Sequence, residues 1–243
     1  MTEAGSAIHE RAVLSISMLE EARNHASNLT ETPRGLIKVT TSVAFGKLCV
    51  TPLLSEFLRQ FPQIKIQLTL LDRTVDLVEE GFDLAIRLTR SPPELLVAKA
   101  LMPVEYVLCA APTYIKKKRL QRPDDLTNFN CLSYGHQALD QEWSFQKDGA
   151  KETVRVSGNI VVNSSEVVRD LMMEGAGIGL VARYAVANEL STGRLRELLP
   201  DWKPTGFFAQ TAFAVWKPQI HLPQKIRVFV DFLQARLSKH DTY

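Results

Sequence analysis

The sequence predicts an α/β protein of two Rossmann-like subdomains, joined by two crossover strands with a cleft between them and preceded by a long N-terminal helix. Three observations carry this prediction. Residues 7–30 contain no Gly or Pro and keep a three-four apolar spacing. After Thr32-Pro33-Arg34-Gly35 the apolar period drops to two. Strand-like and helix-like segments then alternate, first from residue 36 and again from residue 152. Apolar residues at helical spacing describe one buried stripe and strict alternation describes a half-buried strand. Strands that alternate with helices build a parallel sheet.

In the first helix the seam runs through Ile8, Ala12, Ser15, Leu19, Ala22, Ala26 and Leu29. It is Ala-rich and narrower than the face a helix turns to its own core, which is the pattern of helices that pair between chains. Ile8, Ala12, Leu19, Ala22, Ala26 and Leu29 are therefore expected to hold a homodimer or homotetramer together. A helix packed on its own domain is the alternative.

Residues 36–42 read as a strand. Residues 46–61 read as a helix carrying Leu54, Phe57, Leu58 and Phe61, which Pro52 kinks or restarts with Thr51 as a local cap. Residues 64–71 alternate Ile64, Ile66, Leu68 and Leu70 as a strand; a short helix at 74–81 and a strand at 83–88 follow. This βαβαβ order predicts a parallel, doubly wound sheet. Residues 104–110 form another apolar strand, followed by loops and two short strands bearing Trp or Tyr. A long strand at 152–162 ends at Asn163-Ser164-Ser165, and a helix then runs to Glu174. Gly175-Ala176-Gly177 turns into a strand at 178–182. The last strand, 211–216, and the closing helix, 223–239, are assigned to the first lobe, whose sheet is otherwise short of helices. The expected division is a linker helix at 1–35, one subdomain of 36–110 with 208–243, and a second of 111–207. Two crossings, near 109–111 and 207–210, would make a hinge.

Composition bounds the function. Of 243 residues, 45% are hydrophobic and 23% charged, enough apolar surface for a packed core. A net charge of +2 carries no strong field for nucleic acid or membrane, and the run Lys116, Lys117, Lys118, Arg119 reads as a solvated helix face. Cys49, Cys109 and Cys131 are odd in number and widely spaced, so no disulfide framework or CxxC metal site is expected and a reducing cytoplasm is. No apolar run approaches the roughly 20 residues of a membrane span, and no signal-peptide order opens the chain.

In an open parallel sheet, ligands bind at the carboxyl ends of the strands. Those ends supply Thr41 and Ser42, Arg73 and Thr74, and Arg87 and Thr89. In the second lobe they supply Asn163, Ser164 and Ser165. Hydroxyls, two guanidinium groups and the starts of two helices favour a small anion, an organic acid. Each residue also has a plainer reading. Ser42 caps a helix, Asn163 with Glu166 forms a capping box, and Arg73 and Arg87 sit in surface ion pairs. His136, in a Tyr134-Gly135-His136 loop, either lines the cleft or has no role. The run Gly175-Ala176-Gly177-Ile178-Gly179 follows a helix and precedes a strand, so it reads as a helix cap and not as a dinucleotide loop. GxxxxGK[ST], HExxH and GxSxG do not occur, and the five histidines show no ligand spacing. Neither catalysis nor a metal or cofactor is expected.

Taken together, Thr2-Glu3-Ala4-Gly5, Arg34-Gly35-Leu36-Ile37-Lys38-Val39, Phe61-Pro62, Asp72-Arg73, the segment from Glu80 to Arg87 (EGFDLAIR) and that from Glu174 to Leu180 (EGAGIGL) resemble the LysR-type bacterial transcription regulators. The resemblance covers essentially the whole chain. It implies a linker helix followed by an effector-binding domain of type 2 periplasmic-binding-protein kind, with Ser42, Arg73, Arg87, His136 and Asn163 mapping to the inducer cleft. It also implies that the winged helix-turn-helix that reads DNA is missing from this chain, since a single helix precedes residue 36. Two other readings stand beside it. A solute-binding protein of a transport system shares the two-lobed cleft, and an enzyme acting on small acids would need a catalytic constellation.

Overall fold

In chain order the strands are Gly35–Thr41 (β1), Ile64–Leu70 (β2), Leu84–Thr89 (β3), Val97–Val104 (β4), Tyr106–Ala110 (β5), Cys131–Tyr134 (β6), Gln141–Lys147 (β7), Ala150–Val156 (β8), Val161–Val162 (β9), Ile178–Ala182 (β10), Arg196–Glu197 (β11), Lys203–Thr205 (β12) and Gln210–Trp216 (β13). The α-helices are Thr51–Gln60 (α1), Pro112–Ile115 (α2), Ser165–Met173 (α3), Ala187–Ser191 (α4) and Gln224–Leu237 (α5), with a further helical run from Val43 leading directly into α1. The structure is a computed structural model and describes residues 2, 5, 8, 11, 12, 15, 32–116, 119–135, 141–208 and 210–238. The helix expected at 7–30 falls largely outside these residues. Ile8, Arg11, Ala12 and Ser15 are described, helical and exposed.

The expected two-sheet α/β architecture is present. The first sheet has the order β2-β1-β3-β13-β4 and the second β11-β5-β10-β6-β9, with a smaller β12-β7-β8 sheet packed beside the second. In the first sheet, β1 pairs parallel to β2 and β3, while β13 runs antiparallel to β3 and β4. The sheets are thus mixed rather than wholly parallel. The closing strand and helix do join the first sheet. On one of its faces, Ile37, Val39, Leu84, Ile86, Ala212 and Ala214 lie under α1 and α5 in the main core. The centre of that contact is Phe57, fully buried, with ring centroids 4.9 Å from Phe229 and 5.2 Å from Phe232. On the second sheet, Val168 and Met172 of α3 cover Val107, Cys109, Leu132 and Val181.

Several expectations need correction. Residues 104–110 do not extend the first sheet: β5 pairs antiparallel with β10 in the second. The chain therefore changes sheets at Glu105, between β4 and β5, rather than near 109–111, and the boundary expected at residue 110 moves with it. The second crossing runs from β12 through a helical turn, Gly206–Phe208, into β13. The strand β4 was not expected at all. Residues 74–81 form turns instead of a helix, because the Asp76 carboxylate accepts the backbone N–H groups of Val78 (2.7 Å) and Glu79 (3.1 Å) and holds the chain in a side-chain-closed turn. The strand expected at 152–162 is two strands. β8 ends in the small sheet, and the chain then passes alongside β6, where Cys131 N donates to Ser157 O at 3.0 Å and Ser133 N to Ile160 O at 3.2 Å.

Pro52 restarts the helix, as expected: α1 begins at Thr51 with the proline in its first turn, where a missing N–H is tolerated. The preceding segment Gly46–Val50 is wound as a π-helix, so the winding changes at the proline. Thr51 does not cap. Its hydroxyl instead donates to Gly46 O at 2.8 Å, closing the widened turn. Gly46 is required by space. A Cβ there would stand 2.3 Å from Leu70 Cδ2 and 2.6 Å from Thr41 Cγ2. At the end of α3, Gly175 has φ of +77°, and Gly175 N and Ala176 N donate to Met172 O and Leu171 O, the helix cap read from the sequence.

Candidate ligand-binding site

A cavity of about 410 Å³ opens between the two sheets at the carboxyl ends of β1, β2, β3 and β10, within the range typical of small-molecule sites. From the first sheet it takes Ser42, Asp72, Arg73, Thr74, Arg87 and Thr89. From the second it takes Tyr106, Tyr134, Ser164, Ser165 and Tyr184. Its apolar wall comes from Leu71, Val75, Leu77, Leu88, Leu96 and Val181.

Of the residues named from the sequence, the fold brings Ser42, Arg73, Thr74, Arg87, Thr89 and Ser164 to this cavity. Thr41 is close but fully buried and does not line it. Asn163 is exposed and outside it, one residue short of the helix cap. The cap of α3 is Ser164, whose hydroxyl accepts Val167 N at 3.5 Å, so the box expected between Asn163 and Glu166 does not form. Glu166 instead reaches across to the first sheet's helical run and pairs with Lys47 Nζ at 2.8 Å. His136 lies outside the described residues.

The two arginines part company. Arg73 is bidentate to Glu80, with Nη1–Oε1 at 2.8 Å and Nη2–Oε2 at 2.6 Å, and its side chain is 57% exposed. It is the surface ion pair of the plainer reading, and the contact holds the Glu80 carboxyl below its ordinary pKa. Arg87 makes no ion pair or hydrogen bond among the described residues, and its Nη2 is buried. Its placement follows from register. Thr41 pairs with Ile86, so one residue further on Ser42 stands abreast of Arg87, while Phe213 of β13 flanks it on the other side. Burial pulls the guanidinium below its ordinary pKa, opposed by the fields of Glu80 and Asp72.

Ser42 does not cap with its side chain. The N–H of Val43 at that helix start is taken by Asp72 Oδ1 at 2.9 Å, so the anion position expected there is already filled by the protein's own carboxylate. Asp72 and the three tyrosines are the residues that sequence reasoning missed. Burial raises the pKa of Tyr106, Tyr134 and Tyr184, with the charge of Asp72 adding to the effect on the last two, so all three phenols stay protonated. Tyr106 donates to Gln210 Oε1 at 2.9 Å, tying the two chain crossings together. The hydroxyls of Tyr134 and Tyr184 make no hydrogen bond among the described residues. The Tyr184 ring meets Phe45 edge-on at 5.5 Å, a second contact, beside Lys47–Glu166, between the first sheet's helical run and the second lobe.

No group of His, Cys, Asp and Glu among the described residues is arranged to hold a metal ion. The arrangement can bind a small molecule. It presents a charged donor without a partner among the described residues, several neutral donors and an apolar wall.

Residues 30–238 match the LysR substrate binding domain family. The chain is 28% identical over 96% of its length to the probable HTH-type transcriptional regulator LtrA of Klebsiella pneumoniae, covering 76% of that protein. It is 30% identical over 99% of its length to the HTH-type transcriptional activator TtdR of Escherichia coli K12, covering 78% of it. The regulatory domain of AphB from Vibrio vulnificus, 28% identical, superimposes with a TM-score of 0.65 over 83% of this chain and 98% of that one.

Proposed function

The chain belongs to the LysR family of transcriptional regulators, and we propose that its cavity senses a small organic acid whose carboxylate is taken by Arg87. The observation that carries this reading is the Arg87 Nη2, buried beside a cavity without a partner among the described residues. A buried donor left unsatisfied is costly, and a bidentate carboxylate satisfies a guanidinium better than any neutral group does. Ser42, Ser164, Tyr134 and Tyr184 supply neutral donors around the same space.

The reading extends to assembly and signalling. The β1–β4 and β13 sheet forms one effector subdomain and the β5–β12 segment the other, hinged at Glu105 and at residues 206–208. A ligand that binds both walls favours the closed arrangement by its differential affinity. Residues 7–30 pair between chains through Ile8, Ala12, Leu19, Ala22, Ala26 and Leu29, so closure alters how a dimer or tetramer presents its DNA-reading parts. A cytoplasmic location fits this role and fits three buried cysteines carried as free thiols. The relatives are transcriptional regulators, and no helix among the described residues is long and apolar enough to cross a membrane.

The test is calorimetry with a panel of aromatic and aliphatic acids on the parent chain and on Ser42→Ala combined with Arg87→Ala. Removing one partner of a buried charge pair is expected to lower affinity about a hundredfold for any acid that binds. Unchanged affinity in a folded double variant would remove Arg87 from the site.

A further inference from the structure

We propose that Asp72 sets the charge class of the ligand, so that the cavity accepts a monocarboxylate bearing a neutral hydrogen-bond donor and rejects dicarboxylates. This rests on the reading of Arg87 as the carboxylate's partner. Arg73, the second arginine at the cavity, has its charge matched by Glu80 through two short hydrogen bonds and is more than half exposed. Arg87 is then the unmatched cation in the lining among the described residues.

Opposite that cation stands a fixed anion. Asp72 follows β2 and Arg87 lies on β3, with β1 between them, so their backbones are about 10 Å apart at the ordinary strand spacing. Both residues line the cavity, and the Asp72 charge is felt at the Arg87 guanidinium. One Asp72 oxygen is held by Val43 N, and the other keeps lone pairs for a donor. A ligand spanning the cavity with a carboxylate at each end would bring its second charge against Asp72 across a largely apolar wall. Like charges meeting in such a site are penalised far more than in water. A hydroxyl at the same position donates to Asp72 and accepts from the protonated phenols of Tyr134 or Tyr184, which make no other hydrogen bond among the described residues. One ligand group thus satisfies donors and acceptor together.

The experiment compares 4-hydroxybenzoate with benzene-1,4-dicarboxylate, and 5-hydroxypentanoate with glutarate, by calorimetry on the whole chain. Within a pair, size and shape are matched and the second charge differs. The expected result is tighter binding of a hydroxy acid than of its dicarboxylate by about tenfold or more. Asp72→Asn keeps an oxygen to accept Val43 N and removes the charge, so it is expected to erase that preference, with a thermal melt to show the variant folded. A dicarboxylate that binds the parent as tightly as its hydroxy partner, and loses binding in Arg87→Met, overturns this inference and leaves the role of Arg87 standing. A folded Asp72→Asn that keeps the full preference overturns it equally. If none of the four acids binds at millimolar concentration, both readings fall.

Discussion

Replacing Arg87 with Met is expected to stabilise the empty chain and to abolish its response to ligand. Arg87 Nη2 is buried without a partner among the described residues, and a buried unsatisfied donor costs about 1–3 kcal/mol. Methionine keeps an unbranched apolar stem beside Phe213 and Ala85 and carries no charge to desolvate. Allowing for imperfect repacking, the ligand-free variant is expected to be more stable by about 1 kcal/mol, or about 2–4 °C in Tm for a chain of this size. With the tightest acid of the calorimetric panel at a hundred times its Kd, the parent gains about 2.7 kcal/mol by mass action and the variant gains nothing. The order of the two melting curves should therefore reverse on adding ligand. Urea and thermal unfolding, followed by far-ultraviolet circular dichroism with and without the acid, measure both halves. A ligand-free variant less stable than the parent by 1 kcal/mol or more would refute the reasoning, since Arg87 would then be held by a partner of its own.

Gly46→Ala would place a Cβ 2.3 Å from Leu70 Cδ2 and 2.6 Å from Thr41 Cγ2. It should cost about 1–3 kcal/mol in urea unfolding, the usual penalty of overpacking; a neutral substitution would mean that both neighbours move freely. Burial raises the thiols of Cys49, Cys109 and Cys131 from an ordinary 9.0 to about 12. Below pH 9 they are protonated in folded and unfolded chains alike, whereas above it only the unfolded chain releases the protons. Stability should then fall between pH 9 and about 12, by about 1.4 kcal/mol per pH unit for each thiol, and a stability flat to pH 11 would contradict their burial. Leu19→Glu should lower the sedimentation coefficient by setting like charges on the paired seam; an unchanged profile would make residues 7–30 an intramolecular helix.

Much of the architecture was legible because periodicity reports burial directly. The change from helical spacing to alternation at Gly35 marks the start of β1, and Ile64, Ile66, Leu68 and Leu70 mark β2. What stayed hidden depends on contacts distant in sequence. β4 contains Lys99 and Pro103, which argue locally against a strand, yet it lies at a sheet edge where a missing N–H is tolerated. Nothing at Glu105 signals that the chain leaves one sheet for the other. In the site, Ser42, Arg87 and Ser164 followed from the rule that ligands gather at carboxyl ends of parallel strands. Tyr106 did not, because β5 is antiparallel and brings its amino end to the same edge. Asp72 was within reach of that rule, sitting beside Arg73, but an acidic residue fits poorly with the expectation of an anion until its bond to Val43 N is known.

The place of β13 between β3 and β4 constrains the order of events during synthesis. Those two strands do not touch each other, so the first sheet cannot close until residues 210–216 have left the ribosome. The second and third sheets draw only on residues 106–205, a continuous stretch completed earlier. The nested lobe can therefore fold while the open edges of β3 and β4 still wait for their shared neighbour. Long-range pairing of this kind is slow and leaves strand edges exposed to other chains. Damage to β13 should accordingly lower the yield of folded protein more than equal damage to β10, even where the two finished folds would be equally stable.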